Sequence, residues 1–342
     1  VKYGAKPPLA QPLESTPTPS SRVTTLGFFA LKVAVTVGLL AWLSRSGVLQ
    51  LGSLRLLART PLTLALTIGN WVFVSVVLSS SRWRILLLML DVKLSFGRAA
   101  ALQLMALFFN GVVPGNVGGD VMKSLYVAGT TPKATRKALL LLVLVERIIG
   151  LSGLMGAGAL LAWSGLPTWK NDPRLIIPLA TLGGFLLLLV AGPVALLIAL
   201  RSARVRDGLL CLGGRHALLA RAVDALVLVR THQTRLIQAF GVSVLLHTSC
   251  MAYFTYLSGI YGQPAPSIEQ IALIFPLGIL SVVLPVWLAG LGVGHVAFEQ
   301  LFKLIGASNG ANVFNLYVIG QLAPSALGAI PCLFWKKQGP AS

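Results

Sequence analysis

Charge is scarce in this chain. Only 11% of its 342 residues are charged, where a soluble domain carries about 25%, and nine acids face 28 lysines and arginines. That shortfall, with a mean hydropathy of +0.82, excludes an ordinary cytosolic enzyme. Cysteine is equally sparse: Cys211, Cys250 and Cys332 lie far apart and form neither a CxxC pair nor a Cys/His spacing, so they indicate no redox or metal chemistry. GxSxG, Walker A and HExxH are absent. Gly290-Leu291-Gly292-Val293-Gly294 repeats glycine but neither follows a strand nor opens a βαβ unit, so it is no dinucleotide fingerprint. No catalytic residue, cofactor or metal ligand is expected, and the chain reads as a non-enzyme.

What is present is apolar sequence in runs that reach the ~20 residues needed to span a hydrocarbon core ~30 Å thick. The formal charge of +19 would suggest nucleic acid in a soluble protein. Here the basic residues sit between apolar runs, where they set topology and meet anionic headgroups, so no nucleic-acid partner is expected. Residues 1–25, with Pro7, Pro8, Pro12, Pro17 and Pro19 among Ser and Thr, form a disordered cytoplasmic tail. One transmembrane domain, 26–335, follows: half one over about 26–200, a basic cytoplasmic segment 201–235, half two over about 236–335, and a tail at 336–342. The first run, Leu26 to Leu43, leads into Ser-Arg-Ser-Gly rather than a cleavage site and is a retained helix. Further runs span Leu62 to Ser80 (extending to Leu90), Ala99 to Val113, Ala138 to Trp163, Leu175 to Leu200, Leu236 to Tyr261, Ile268 to Leu288 and Val313 to Trp335.

Two runs are interrupted. One ends in Pro114-Gly115-Asn116-Val117-Gly118-Gly119-Asp120; the other carries Pro276 and Pro285 before its glycine cluster. Glycine and proline at that density stop a helix, and lipid tolerates a broken helix only where protein or a wet cavity satisfies its backbone. Lysine and arginine mark the cytoplasmic side. Arg82, Arg84, Lys93 and Arg98 precede the first broken run and Lys123, Lys133, Arg136 and Lys137 follow it, so it enters and leaves from the cytoplasm. The second, by the same reckoning, enters and leaves from outside. The predicted fold is therefore an all-α polytopic membrane protein with about six full spanning helices and two broken re-entrant hairpins, 98–130 and 268–306. Hairpins opposed in this way make an inverted-topology repeat, and such paired interruptions point to a transporter's substrate site. Both termini fall in the cytoplasm.

Ionisable groups at membrane depth each need a reason or a partner, since insertion costs about 2.5 to 3.5 kcal/mol apiece. Asp120 and Lys123 follow the first glycine cluster, where a new helix start would suit a phosphate; the alternative is an N-cap beside a snorkelling lysine. Glu146 and Arg147 lie within an apolar helix and point ~100° apart, so each must find a partner elsewhere, for example Glu146 with Lys123 and Arg147 with Asp120. A purely structural interhelical salt bridge is the competing reading. His295, Glu299 and Lys303 share a helix face at i, i+4 and i+8, which suits either a proton-responsive gate or an ordinary Glu–Lys pair. His216, His232 and His247 read as packing histidines. Residues 215–235 read as a helix on the inner leaflet, its arginines toward anionic lipid.

Phe108-Phe109-Asn110, Pro114 to Lys123, Val145-Glu146-Arg147-Ile148-Ile149-Gly150-Leu151 and Leu284-Pro285 with Gly290 to Val293 together resemble the lysylphosphatidylglycerol synthase transmembrane family, the flippase-like module that also occurs as free-standing membrane proteins. The resemblance covers nearly everything from residue 26 onward. Lys123 stands where the family usually has arginine, and Gly294-His295 where its glycine motif usually ends in Arg-Glu; Glu299 is the nearest acid. Neither an aminoacyl-transferase domain nor synthase activity is expected. The resemblance implies translocation of a polar-headed phospho- or aminoacyl-lipid between leaflets of a bacterial cytoplasmic (inner) membrane. Its partner would be a membrane lipid with an anionic or phosphate-containing headgroup. Substrate would be held by Asn110, Pro114, Gly118, Gly119, Asp120, Lys123, Glu146 and Arg147 in the first half and Gly292, His295 and Glu299 in the second. The alternative is a non-transporting accessory protein that presents a polyprenyl-phosphate, hopanoid or aminoacyl lipid to a separate lipid-modifying transferase.

Overall fold

The computed structural model describes residues 53–112, 118–130, 136–169, 172–199, 231–261, 265–283 and 291–334. The predicted tail 1–25, the first run 26–43, most of the segment 201–235, Pro114 and Pro285 lie outside the described residues. Those described form helices, with no strand among them.

After a short α1 (Ser53–Leu57), α2 (Pro61–Leu90) runs for 30 residues, about 45 Å at 1.5 Å per residue. Thr60 caps it, its hydroxyl accepting from Thr63 N at 3.2 Å, and Pro61 fills the first position, where no N–H is needed. Midway, Val72–Leu78 is wound as a π-helix. Asp91 in the left-handed region (φ 55°) ends the helix; aspartate accepts that conformation because its short polar side chain bonds locally.

The remaining elements are α3 (Phe96–Val112), α4 (Gly118–Thr130), α5 (Arg136–Trp169), α6 (Pro173–Ala199) and α7 (Gln233–Tyr261). Then come α8 (Ile268–Val283), α9 (Leu291–Leu304), α10 (Gly310–Ser325), a 3-10 turn at Ala326–Gly328 and α11 (Ala329–Phe334). Among the described residues, α2, α5 and α7 are long and apolar enough to cross a membrane, and Pro173–Leu189 of α6 and Ile268–Val282 of α8 are shorter apolar stretches. Their neighbours leave Trp163, Ile177, Leu187 and Ile237 two-thirds or more exposed, as a hydrocarbon solvent permits.

The first interrupted run is α3 and α4, packed antiparallel: Gly119 lies against Ala106 and Lys123 against Gln103. The second is α8 and α9, with Gly294 against Val282 and Gly278 against Phe298. The α3–α4 pair sits at the end of the bundle where α2 finishes and α5 begins. The α8–α9 pair occupies the opposite end, where α7 finishes and α10 begins.

Two expectations change. Pro276 does not break its run; α8 continues through it, because the ring lies over Gly158 of α5, where a Cβ would stand only 2.5 Å from Pro276 Cγ, and neighbouring helices make proline tolerable in such segments. The last run, expected as one helix to Trp335, turns at Ala326–Gly328. There a Cβ on Gly328 would meet the carbonyl oxygen of Leu104 at 2.0 Å: the chain bends to lie on α3.

Two cores result. One gathers Phe254, Phe275, Phe298, Phe302 and Phe314 among aliphatic residues of α5, α7 and α8. The other gathers Trp83, Leu86, Leu102, Met105, Leu139 and Val145, and it walls the charged site.

Candidate functional site: a buried charge cluster

Asp120, in the first turn of α4, places its carboxylate where helix-terminal N–H groups favour negative charge. That turn is fixed from α3: Asn110 Oδ1 accepts from Gly119 N at 2.8 Å. Glycine is required at 119, since a Cβ there would lie 2.0 Å from the carbonyl oxygen of Ala106. One turn on, Lys123 is 1% exposed. A bare ammonium so deeply buried would be very costly, yet Lys123 Nζ has four oxygens around it. Asp120 Oδ1 stands at 3.1 Å and Gln103 Oε1 at 3.4 Å. Both carboxylate oxygens of Glu146 also face it, Oε1 in a hydrogen bond of 3.1 Å and Oε2 as an ion-pair contact of 2.9 Å. The Trp83 ring centroid lies 5.1 Å from Nζ, within cation–π range.

Arg147 reaches the other oxygen of Asp120. From α2, Arg82 Nη2 donates to Glu146 Oε1 at 3.3 Å and Nη1 to Ser243 Oγ at 3.1 Å. Ser243 is shared: its carbonyl oxygen lies 2.7 Å from His247 Nδ1, and as a carbonyl can only accept, Nδ1 carries the proton. Gly153 of α5 allows this approach, since a Cβ there would come within 2.4 Å of Ser243 Cβ.

Five helices, α2, α3, α4, α5 and α7, thus converge on two carboxylates and three cations, formally one positive charge in excess. Arg82 lies eight residues before the end of α2, Glu146 ten after the start of α5 and Ser243 ten after the start of α7. All three helices therefore set the cluster about 12–15 Å in from the same end. That end carries Arg84, Lys93, Arg98, Arg136, Lys137 and Arg235; Arg55, Arg59 and Arg174 lie at the other. Arg147 is the most accessible member, its side chain 37% exposed against 0% for Lys123.

The sequence-derived pairings of Glu146 with Lys123 and of Arg147 with Asp120 both form. Gly118 opens α4, and Pro114 lies outside the described residues. His295 and Glu299 are not brought to the cluster. His295 sits edge-on to Phe314, centroids 5.1 Å apart. Glu299 caps α10 by accepting from Ala311 N at 3.2 Å and pairs with Lys303 at 3.5 Å. Gly292 lies in the first turn of α9. Sequence reasoning missed Arg82, Gln103 and Ser243. Arg82 was counted among the topology-setting cations; its signal was its place inside an apolar run that continues to Leu90.

A family model described as the lysylphosphatidylglycerol synthase TM region matches residues 29–320. The chain belongs to that family. Every member of the cluster, from Arg82 to Ser243, falls within this lysylphosphatidylglycerol synthase TM region. A UPF0104 membrane protein of Methanothermobacter thermautotrophicus is 26% identical over 345 residues, covering 93% of this chain and 94% of that relative. No solved structure matches. As a lysylphosphatidylglycerol synthase TM-region protein, the chain is an integral membrane protein with a membrane-lipid-related role.

Proposed function

We propose that the protein is a flippase-like transporter that moves a polar-headed, phosphate-bearing lipid between leaflets and makes or breaks no covalent bond. The reading rests on one observation: a cluster with three cations for two carboxylates, walled by apolar side chains. In a bilayer whose hydrocarbon core is ~30 Å within a total of ~40–45 Å, a cluster about 12–15 Å from the helix ends lies inside the hydrocarbon. Buried intramembrane charges mark substrate pathways.

The α3–α4 and α8–α9 pairs act as re-entrant hairpins from opposite faces, the halves of an inverted-topology repeat. The described parts of α3 and α8, 17 and 16 residues, are shorter than the 30 and 29 residues of α2 and α7. The basic end of the bundle faces the cytoplasm, in a cell membrane of the bacterial inner-membrane type. A headgroup phosphate exchanges with Asp120 on Arg147, whose planar fork takes two phosphate oxygens at once. Lys123 supplies the deeper charge, while Glu146 and Arg82 keep it in place when the site is empty. The acyl or prenyl chains stay in the membrane.

The test is translocation of a headgroup-labelled anionic phospholipid in liposomes containing the purified protein, read by dithionite quenching. Arg147→Ala is expected to abolish protein-dependent translocation while the protein remains folded. Unchanged rates overturn the role of Arg147. A wild-type protein that retains lipid without moving it overturns transport, and favours an accessory protein serving a separate lipid-modifying transferase.

A further inference from the structure

A second cationic feature lies on the far side of the same stretch of α2. Ser81, Arg84, Ile85 and Leu88 recur at i, i+3, i+4 and i+7 and so share a face, turned away from the buried Trp83, Leu86 and Leu87. With Lys93 and Leu94 they line an open cavity of about 510 Å³, within the usual size range of ligand sites. Arg84 is held in position: its Nε donates to the carbonyl oxygen of Leu94 at 2.9 Å, and Phe96 lies 6.0 Å from its guanidinium carbon. Neither Arg84 nor Lys93 has a carboxylate partner among the described residues, and Asp91, the nearest acid in sequence, pairs with neither. The cavity therefore joins two uncompensated cations to an apolar wall of Ile85, Leu88 and Leu94.

We propose that this groove is a binding site for an anionic phospholipid, separate from the buried cluster. Arg84 and Lys93 hold the headgroup phosphate, and Ile85, Leu88 and Leu94 receive the upper part of the acyl chains. Charge selects an anion and the adjoining apolar wall selects one that carries a hydrocarbon tail. Position agrees: the groove lies at the end of a helix about 45 Å long, where the headgroup layer is met. The two cations are also on the basic end of the bundle, which faces the leaflet richest in anionic lipid. A lipid seated there would bridge the last turn of α2 to the segment leading into α3.

The full chain, delipidated in detergent, would be titrated with phosphatidylglycerol and separately with phosphatidylcholine, and retained lipid measured by native mass spectrometry. Phosphatidylglycerol is expected to be retained in preference. The double variant Arg84→Gln with Lys93→Gln should weaken its retention roughly twenty-five-fold, since each basic group near an anionic surface contributes about a factor of five. Leu88→Trp, which fills the groove without altering charge, should weaken it as well, and Arg174→Gln, a cation at the opposite end of the bundle, should leave it unchanged. Equal retention of the two lipids, or full retention by Leu88→Trp, overturns the site. Displacement by millimolar inorganic phosphate would assign the groove to a soluble anion instead and equally overturns it. Should the double variant fail to fold, Leu88→Trp and the phosphate competition decide alone. Every arm is read in an Arg147→Ala background, which removes the phosphate ligand proposed for the buried cluster, so the outcome is independent of the transport reading.

Discussion

The α3–α4 and α8–α9 pairs share a plan and differ in what fills it. Each is an antiparallel pair with a glycine early in its second helix that permits close approach, Gly119 against Ala106 of α3 and Gly294 against Val282 of α8. Beyond that glycine, α4 presents Asp120 and Lys123 to the bundle interior, whereas α9 presents aromatic rings. Phe298 stacks on Phe314 with centroids 4.8 Å apart and lies 5.0 Å from Phe254, which also meets Phe275 and Tyr317. The acid of α9, Glu299, is spent on capping α10 and on a half-exposed Lys303. One architecture thus serves two ends. A charge network needs rigid walls to keep its members within hydrogen-bond reach, and in the second pair packing takes the place that ions hold in the first.

The largest effects should come from the heart of each pair, and they should differ in kind. Glu146→Ala leaves Lys123 and Arg82 buried without their main counter-charge and is expected to cost about 3–5 kcal/mol. Phe298→Ala opens a hole in the aromatic core at a similar cost of about 3–5 kcal/mol. Thermal unfolding in detergent would measure both. Translocation by the protein that remains folded separates them, because only the Glu146 variant should lose it; equal loss would erase the functional contrast between the pairs.

Gly119→Ala comes next. Its new methyl meets backbone rather than a movable side chain, so α3 and α4 must part, at roughly 1–3 kcal/mol. Gly129→Ala in the same helix, with nothing within 4 Å, should be neutral or slightly stabilising. The smallest effect is expected for Glu299→Gln: a partly exposed pair and one cap bond amount to no more than about 1 kcal/mol, with translocation unchanged. A transport defect in that variant would give α9 the polar role that its surroundings deny it.

The sequence made the first pair legible and the second less so. Asp120, Lys123, Glu146 and Arg147 stand out because a charge inside an apolar run demands a partner, and with so few acids the partners were nearly forced. Arg82 obeys the same rule but was hidden by Arg84, Lys93 and Arg98, which are interfacial; only the burial of Trp83, Leu86 and Leu87 beside it reveals which way it turns. His295 and Glu299 share a helix face as spacing requires, yet spacing cannot tell that the face meets Phe314 and the start of α10. The bend at Ala326–Gly328 depends on contact with Leu104, and the passage of α8 through Pro276 on contact with Gly158. Contacts between distant segments leave no periodic trace.

The π-helical stretch Val72–Leu78 has its own consequence for α2. Each π turn takes up one more residue than an α turn, and one residue is about 100° of facing. The stretch therefore acts as an angular offset that fixes how the second part of the helix is clocked relative to the first. Upstream of it, Thr63 and Thr67 engage the tyrosines of α7; downstream, Arg82 engages Ser243 on the same helix. Removing a single residue from the stretch would keep α2 apolar and nearly as long while swinging Arg82 away from Glu146. The composition of the span would be intact and its azimuth wrong.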